Sequence, residues 1–147
     1  MKSIAIVVLG VMFMSFIKWQ PDFQTAQNLA KEKHQLILLN FSGSDWCGPC
    51  MRMRKEIFEN EVFTAYSDTA LELVNADFPR NKKNQLSPEI TKANEALADQ
   101  YNKVGAFPFT VLLDADGKIL RSWPGLPKED AAAFVKEIKA VYDAKQR

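Results

Sequence analysis

Histidine and cysteine are scarce in this sequence. Its 147 residues include one histidine and two cysteines. A structural zinc site needs four ligands. Two thiolates and His34 could therefore complete a tetrahedron only with an acid or with a second chain. The count disfavours a closed zinc site, and we predict no metal site.

An excess of one charge is absent as well. The chain carries 19 Lys and Arg against 18 Asp and Glu, without long blocks of one sign. This balance favours no highly charged partner, and nucleic-acid binding is not predicted. Two short basic groups are interpreted as solvated faces. They are Arg52, Arg54 and Lys55, and Arg80, Lys82 and Lys83.

Long hydrophobic runs are limited to one, from Ile4 to Ile17, which follows Met1-Lys2-Ser3. That arrangement is typical of an export signal. A helix of this length reaches about 21 Å, short of the roughly 30 Å core of a bilayer. No Ala-x-Ala cleavage pattern follows the run, so an uncleaved anchor stays open. We predict that residues 1–20 are a signal peptide or an N-terminal membrane anchor and that 22–147 form one exported domain.

The rest of the chain alternates helical and strand patterns. Helices are predicted over 22–33, 49–59, 61–69, 87–102 and 127–145, and strands over 36–41, 71–76, 109–113 and 118–123. A crossover helix between the first two strands implies that they are parallel, and the last two strands form a β-hairpin around Asp114-Ala115-Asp116-Gly117. The fold class is therefore α/β, with a central mixed β-sheet of about four strands flanked by helices.

Both cysteines lie in the stretch "SDWCGPCMRM", as Cys47 and Cys50. This spacing suits a redox pair, half of a zinc site or a haem attachment. Haem attachment fails, because Met51 stands where that motif has histidine. A structural bridge would close a very short loop, which stabilises least. If Pro49 opens a helix, Cys47 lies at its N-terminus, where unpaired N–H groups favour a thiolate, and Cys50 lies one turn further and more buried.

The "WCGPC" motif at a strand-to-helix turn, "FPFT" before the hairpin and the order of elements together resemble the thioredoxin family, over residues 23–145. The resemblance implies that Cys47 attacks and Cys50 resolves. It also implies that Phe107 offers its backbone to an extended substrate, and that Pro108 is cis beside the cysteines. The supporting residues that the resemblance places around the cysteine pair are Trp46, Gly48 and Pro49.

Three features depart from that family. Its buried acid corresponds to Asn40, or to Phe41 under another alignment, and its accompanying lysine corresponds best to Leu73. Proton handling at Cys50 is therefore expected to rely on water or on another group, with Glu56 and Asn40 as the residues to consider. The third departure is a long stretch from Phe78 to Val104, which either borders the site and selects partners or is a neutral insertion.

These inferences predict a thiol–disulfide oxidoreductase that reduces protein disulfides outside the cytoplasm, in the periplasm for a bacterial protein. The resemblance of Gly48-Pro49 to the reducing members favours reduction over oxidation. No cofactor is expected beyond the cysteine pair. The expected partners are disulfide-containing proteins and a thiol electron donor, and the chain is expected to be a monomer. The alternative is a copper-binding or metal-delivery module that uses both thiolates with Met51 and Met53 as soft ligands.

Overall fold

The computed structural model describes residues 16–146. Most of the predicted leader, residues 1–15, lies outside the described residues. Among those that are described, no helix has the length and apolar character needed to cross a membrane.

One mixed sheet of four strands forms the centre of the fold, in the order β2-β1-β3-β4. The strands are β1 (Leu36–Ser42), β2 (Leu71–Asp77), β3 (Phe109–Leu113) and β4 (Ile119–Pro124). β1 runs parallel to β2 and antiparallel to β3, and β3 and β4 form the hairpin. The predicted α/β architecture and mixed sheet are confirmed.

Within residues 16–146, five α-helices surround the sheet. They are α1 (Phe23–Lys33), α2 (Gly48–Met53), α3 (Glu61–Ala70), α4 (Pro88–Tyr101) and α5 (Ala131–Gln146). Asp22 caps α1 by accepting from the Thr25 N–H at 2.7 Å, and His34 ends this helix in the left-handed conformation. Ser87 caps α4, with Pro88 in its first turn. These caps satisfy N–H groups that a helix leaves unpaired at its start.

Two helices differ from the prediction. α5 begins at Ala131 rather than at position 127, and the Asp130 carboxylate accepts from the Ala133 N–H at 2.9 Å. A capping aspartate stabilises the start of a helix by accepting a hydrogen bond from a first-turn N–H group. A proline is only compatible with the first turn and does not determine where the helix begins. The helix predicted over 49–59 begins at Gly48 and changes after Met53 into a π-helical turn, Arg54–Phe58.

Alternate residues of the strands fill two cores, because successive strand side chains point to opposite faces. Leu36 and Leu38 face a core that contains Met53 of α2, Phe63 of α3 and Phe134 of α5. The intervening residues of β1 face a second core with α1 and α4, which contains Ala26, Ala30, Phe41 and Tyr101. The cysteines therefore lie on a helix that covers the first face.

The segment just before α1 also belongs to this packed unit. Trp19 forms a parallel bridge with Leu73, and the Gln20 N–H donates to the Leu73 carbonyl at 2.7 Å. The Trp19 ring meets Phe58 edge-on, with centroids 5.4 Å apart. Contacts of the domain thus begin within the last residues of the predicted leader.

Candidate active site

The two cysteines lie where β1 passes through a short turn into α2. Cys47 is the N-cap of α2, and Cys50 lies within its first turn. Their sulfurs form a disulfide, and Cys47 Sγ also accepts from the Cys50 N–H at 3.2 Å. Both residues are 5% exposed. The expectation that Cys50 is the more buried of the two is wrong for this disulfide form, in which the two residues are equally exposed.

Trp46 directly precedes Cys47 and contacts two segments that are distant in sequence. Its indole N–H donates to the Phe78 carbonyl at 2.7 Å, and its ring meets Phe107 edge-on at 5.5 Å. Gly43 permits this position, since a Cβ there would lie 2.2 Å from the indole. The aromatic contact brings the predicted substrate-facing residue, Phe107, next to the cysteine motif.

The peptide bond between Phe107 and Pro108 is cis, as the resemblance implied. Pro108 is buried, and its carbonyl accepts from the Gly125 N–H at 2.8 Å, just after β4. Phe107 also contacts Phe78 edge-on at 5.5 Å. The turn before β3 is therefore held between the hairpin and the residues that follow β2.

Asp45 fixes the loop after β2 to the cysteine turn. Its carboxylate accepts from the backbone N–H groups of Arg80 and Asn81, both at 2.9 Å, and from the Asn84 amide at 3.0 Å. These hydrogen bonds, first of all the one from Arg80, lower the pKa of Asp45. A carboxylate held by several donors stays ionised. The start of the long Phe78–Val104 stretch therefore borders the site, as one of the two interpretations predicted.

A row of polar side chains crosses the carboxyl ends of β1 and β2 beneath α2. The Asn40 amide donates to the Asn75 side-chain oxygen at 2.8 Å, and the Thr110 hydroxyl donates to the Asn40 oxygen at 3.0 Å. Asn40 and Thr110 are buried, whereas Asn75 is exposed. The row shares its face with Met53, which lies 3.8 Å from the Thr110 hydroxyl. This neutral amide network occupies the place where the family has an acid.

The strand register shows which residue lies opposite Asn40. Asn40 lies opposite Asn75, whereas Leu73 lies opposite Leu38. Phe41 points into the core on the other face. The partner of the Asn40 position is therefore Asn75, which sequence reasoning missed. Alternation of polar residues at the end of β2 was the signal that could have identified it.

A cleft of about 880 Å³ opens beside Cys50. The Asn40–Asn75 pair and Cys50 line it together with the π-helical turn and the N-terminal segment. The residues that line it are Ile17, Trp19, Asn40, Ser42, Ser44, Cys50, Met51, Arg54, Lys55, Phe58, Glu59 and Asn75. Its volume is large compared with the roughly 30 Å³ that one water takes in the liquid, and its polar residues supply hydrogen-bond partners. Solvent can therefore reach Cys50 from the side of α2 that faces the sheet.

Glu56 lies in different surroundings from Cys50. Its carboxylate accepts two hydrogen bonds from Arg52, at 3.0 and 3.1 Å, and both residues are exposed. The hydrogen bond from Arg52 lowers the pKa of Glu56. Glu56 lines a separate cavity of about 490 Å³ beside Leu126 and Pro127. The structure does not bring Glu56 into the cleft that Cys50 lines.

The two methionines of the copper hypothesis lie on opposite sides of α2. Met51 is 45% exposed, whereas Met53 is fully buried in the core. Residues 16–146 contain no cluster of three or more His, Cys, Asp and Glu side chains arranged to hold a metal ion. The structure therefore gives the copper alternative no support.

Comparison with known proteins agrees with this geometry. The sequence profile described as Thioredoxin-like domain matches residues 23–142. The chain belongs to the thioredoxin-like family. The match spans all four strands and the five α-helices described above, except for the end of α5. It covers the thioredoxin-like cysteine motif and the cis proline together.

Three similar proteins refine the placement within the thioredoxin-like family. "Disulfide bond reductase DsbH" of Chlamydia pneumoniae is 35% identical over 124 residues, which cover 84% of this chain and 72% of that protein. "Thiol-disulfide oxidoreductase ResA" of Geobacillus thermodenitrificans is 28% identical over 136 residues, which cover 81% of this chain and 75% of that protein. A solved structure, "DsbH Oxidoreductase", superposes with a TM-score of 0.81 at 30% identity and covers 95% of this chain and 94% of its own. This thioredoxin-like protein is a thiol–disulfide oxidoreductase, as its sequence predicted.

Proposed function

We propose that this protein reduces disulfides of exported proteins, with Cys47 as the attacking thiol and Cys50 as the resolving thiol. The observation that carries the proposal is the Cys47–Cys50 disulfide at the start of α2, directly after Trp46, whose ring contacts Phe107. A relative named as a disulfide bond reductase supports the direction of the reaction. Residues 1–20 would carry the domain out of the cytoplasm, to the periplasm in a bacterium, as a cleaved signal or as an anchor.

The reaction begins with the reduced dithiol. The Cys47 thiolate attacks one sulfur of the substrate disulfide, and the other substrate sulfur leaves as a thiolate that takes up a proton. Cys50 then loses its proton and attacks Cys47 Sγ, so that the second substrate sulfur leaves. The substrate gains two electrons and two protons, and the protein ends as the Cys47–Cys50 disulfide. A thiol electron donor must return two electrons before the next turnover.

The start of α2 favours Cys47 as the attacking thiol. Backbone N–H groups at a helix N-terminus stabilise a thiolate, and the Cys50 N–H already points at Cys47 Sγ. A stabilised Cys47 thiolate is also the better leaving group when Cys50 attacks. An extended substrate segment would lie against the backbone of Phe107, whose ring contacts Trp46.

We further propose that the proton of Cys50 passes to water in the cleft. Neither Asn40 nor Asn75 can accept a proton as a carboxylate does, but their amides can hold a water by hydrogen bonds. Glu56 remains the other predicted group, although it lines a different cavity. Glu56→Gln is therefore expected to leave the rate of the Cys50 step unchanged within about twofold, the size of an exposed ion-pair effect.

The neutral character of the amide row predicts a pH-dependent effect of Asn40→Asp. A carboxyl group introduced at this buried position has the neutral groups of Asn75 and Thr110 as its direct partners, so burial is expected to raise its pKa above the unfolded value of about 3.9. The folded state then binds more protons than the unfolded state over that interval. The variant is therefore expected to lose stability relative to wild type as pH rises, by about 1–3 kcal/mol near pH 8.

Urea denaturation at pH 4 and pH 8 measures this difference. Asn75→Asp is the matched control, because Asn75 is exposed and its charge would stay solvated. The same Asn40→Asp variant should add an inflection to the pH dependence of the Cys50 step that wild type lacks. Equal stability loss at both pH values, with no new inflection, would contradict a neutral, charge-excluding site.

The midpoint potential of the cysteine pair tests the direction of the reaction. We expect a value nearer to the roughly −270 mV of thioredoxin than to the roughly −120 mV of the strong oxidant DsbA. The measurement equilibrates the protein with defined dithiothreitol buffers and counts free thiols by alkylation. Reduction of insulin at a rate above the dithiothreitol background provides the functional counterpart. A potential near that of strong oxidants would make the protein an oxidase.

A further inference from the structure

Two segments, residues 43–60 and 78–85, meet near the disulfide. They carry the two basic groups that the sequence analysis interpreted as solvated faces. Residues 43–60 and 78–85 together contain six Lys and Arg and three Asp and Glu. The Asp45 carboxylate accepts hydrogen bonds from three donors in the 78–85 segment. Glu56 forms an ion pair with Arg52, and Glu59 forms one with Arg54. The carboxylates of these segments are therefore already engaged. Within the part of the chain that the structure describes, four cations of the two segments form no ion pair, and they are Lys55, Arg80, Lys82 and Lys83.

Arg80 is the cation that lies against the active-site aromatic residues. Its guanidinium carbon is 3.8 Å from the centroid of the Trp46 ring. Trp46 directly precedes Cys47 and also contacts Phe107. A guanidinium that stacks on an indole keeps its N–H groups available at the edge. Arg80 is exposed, so those donors are open to solvent beside Trp46.

The loop that carries Arg80 is held in place by the cysteine turn itself. Asp45 accepts from the Arg80 and Asn81 N–H groups, and the Trp46 indole donates to the Phe78 carbonyl. Within the loop, the Gln85 amide donates to the Pro79 carbonyl at 3.3 Å. A charged residue on a loop that is already ordered costs less loop entropy when a partner binds. Arg80 is thus pre-positioned beside the attacking cysteine.

We propose that Arg80, supported by the charges of Lys82 and Lys83, selects disulfide substrates in which an extended segment places Asp or Glu close to the cysteine that Cys47 attacks. This inference rests on the proposed function, because it names the substrate class of the same site. A carboxylate near the substrate cysteine would meet the free edge of the Arg80 guanidinium, which favours two parallel hydrogen bonds to such a group. The acidic segment of the substrate would lie along the surface that the Trp46 and Phe107 side chains form.

The test uses the reduced full-length domain and two synthetic peptides that each contain one disulfide. The peptides differ only at the positions that flank one cysteine, which are Glu in one and Lys in the other. Single-turnover rate constants are measured by acid quench and thiol alkylation, and the readout is the ratio of the Glu-peptide to the Lys-peptide constant. This ratio cancels any general effect of a variant on the thiols.

Wild type is expected to favour the Glu peptide by about 5–10-fold at low salt, within the range of electrostatic effects on association. The preference should fall toward one near 1 M salt, where the screening length is about 3 Å. Arg80→Glu should abolish or invert the preference, and Arg80→Lys should retain part of it. Lys136→Glu is the matched control, since Lys136 is exposed on α5 and the change in net charge is the same; it should keep the wild-type ratio.

The outcomes separate the two proposals. A wild-type ratio near one at low salt, or the same ratio in Arg80→Glu as in Lys136→Glu, would overturn selection by Arg80 while leaving disulfide reduction intact. Failure of the reduced wild-type protein to react with either peptide would instead count against the proposed function.

Discussion

Cys47→Ser is expected to reduce insulin-reduction activity by on the order of 10³-fold or more, because a serine hydroxyl cannot replace a thiolate that attacks sulfur. Cys50→Ser is expected to stop turnover in a different way. Cys47 can still attack, but the resolving thiol is missing, so a mixed disulfide between Cys47 and the substrate accumulates. The pair of variants therefore distinguishes the two roles rather than only the need for both cysteines.

Non-reducing gels and intact-mass measurements of each variant with insulin would detect the adduct. The double variant Cys47→Ser/Cys50→Ser is the matched control and should form none. This experiment decides an assignment that exposure cannot decide, since both cysteines are 5% exposed. An adduct that accumulates in Cys47→Ser instead of Cys50→Ser would reverse the two roles.

Features encoded within a few neighbouring residues could be predicted from the sequence. The Cys47–Cys50 pair and the helix that follows it depend on adjacent residues, and the α4 cap depends on Ser87 and Pro88. Parallel pairing of β1 and β2 followed from the helices between them. Such features require only local patterns and the few connections that chain topology allows.

Features that depend on distant residues could not be predicted in the same way. The residues next to Asp45 do not indicate its partners Arg80, Asn81 and Asn84, which lie 35 to 39 residues further along the chain. The correct neighbour of Asn40, which is Asn75, depends on strand register. A shift of two positions in register is invisible to the hydrophobic pattern, because it leaves every side chain on the same face.

The change from α2 to a π-helical turn also had no signal in the sequence. It places Arg54, Lys55 and Phe58 along the cleft beside Cys50. π-helical turns are common at functional sites, and here the turn forms one wall of the cleft that reaches Cys50. The width of that cleft is therefore set by how the turn packs against the core.

Phe63→Ala is expected to cause the largest loss of stability among the substitutions considered, about 3–5 kcal/mol. The Phe63 side chain is fully buried, and its ring centroid lies 5.2 Å from Phe58 and 6.2 Å from Phe134. It thus joins α3, the π-helical turn and α5. Domains of this kind are stable by roughly 5–15 kcal/mol, so the cavity would remove a large share of the total.

The adjacent Val62 provides the matched control. Val62 is 49% exposed on the same helix, and Val62→Ala is expected to change the free energy of unfolding by less than about 0.5 kcal/mol. Urea unfolding of the oxidised proteins measures both effects. Phe58 packs against Phe63 and also lines the cleft, so the cavity variant should in addition raise the rate at which Cys50 is alkylated in the reduced protein. A loss below about 1.5 kcal/mol, with unchanged alkylation, would mean that the turn holds its position without Phe63 and that the cleft wall is stabilised from the Trp19 side instead.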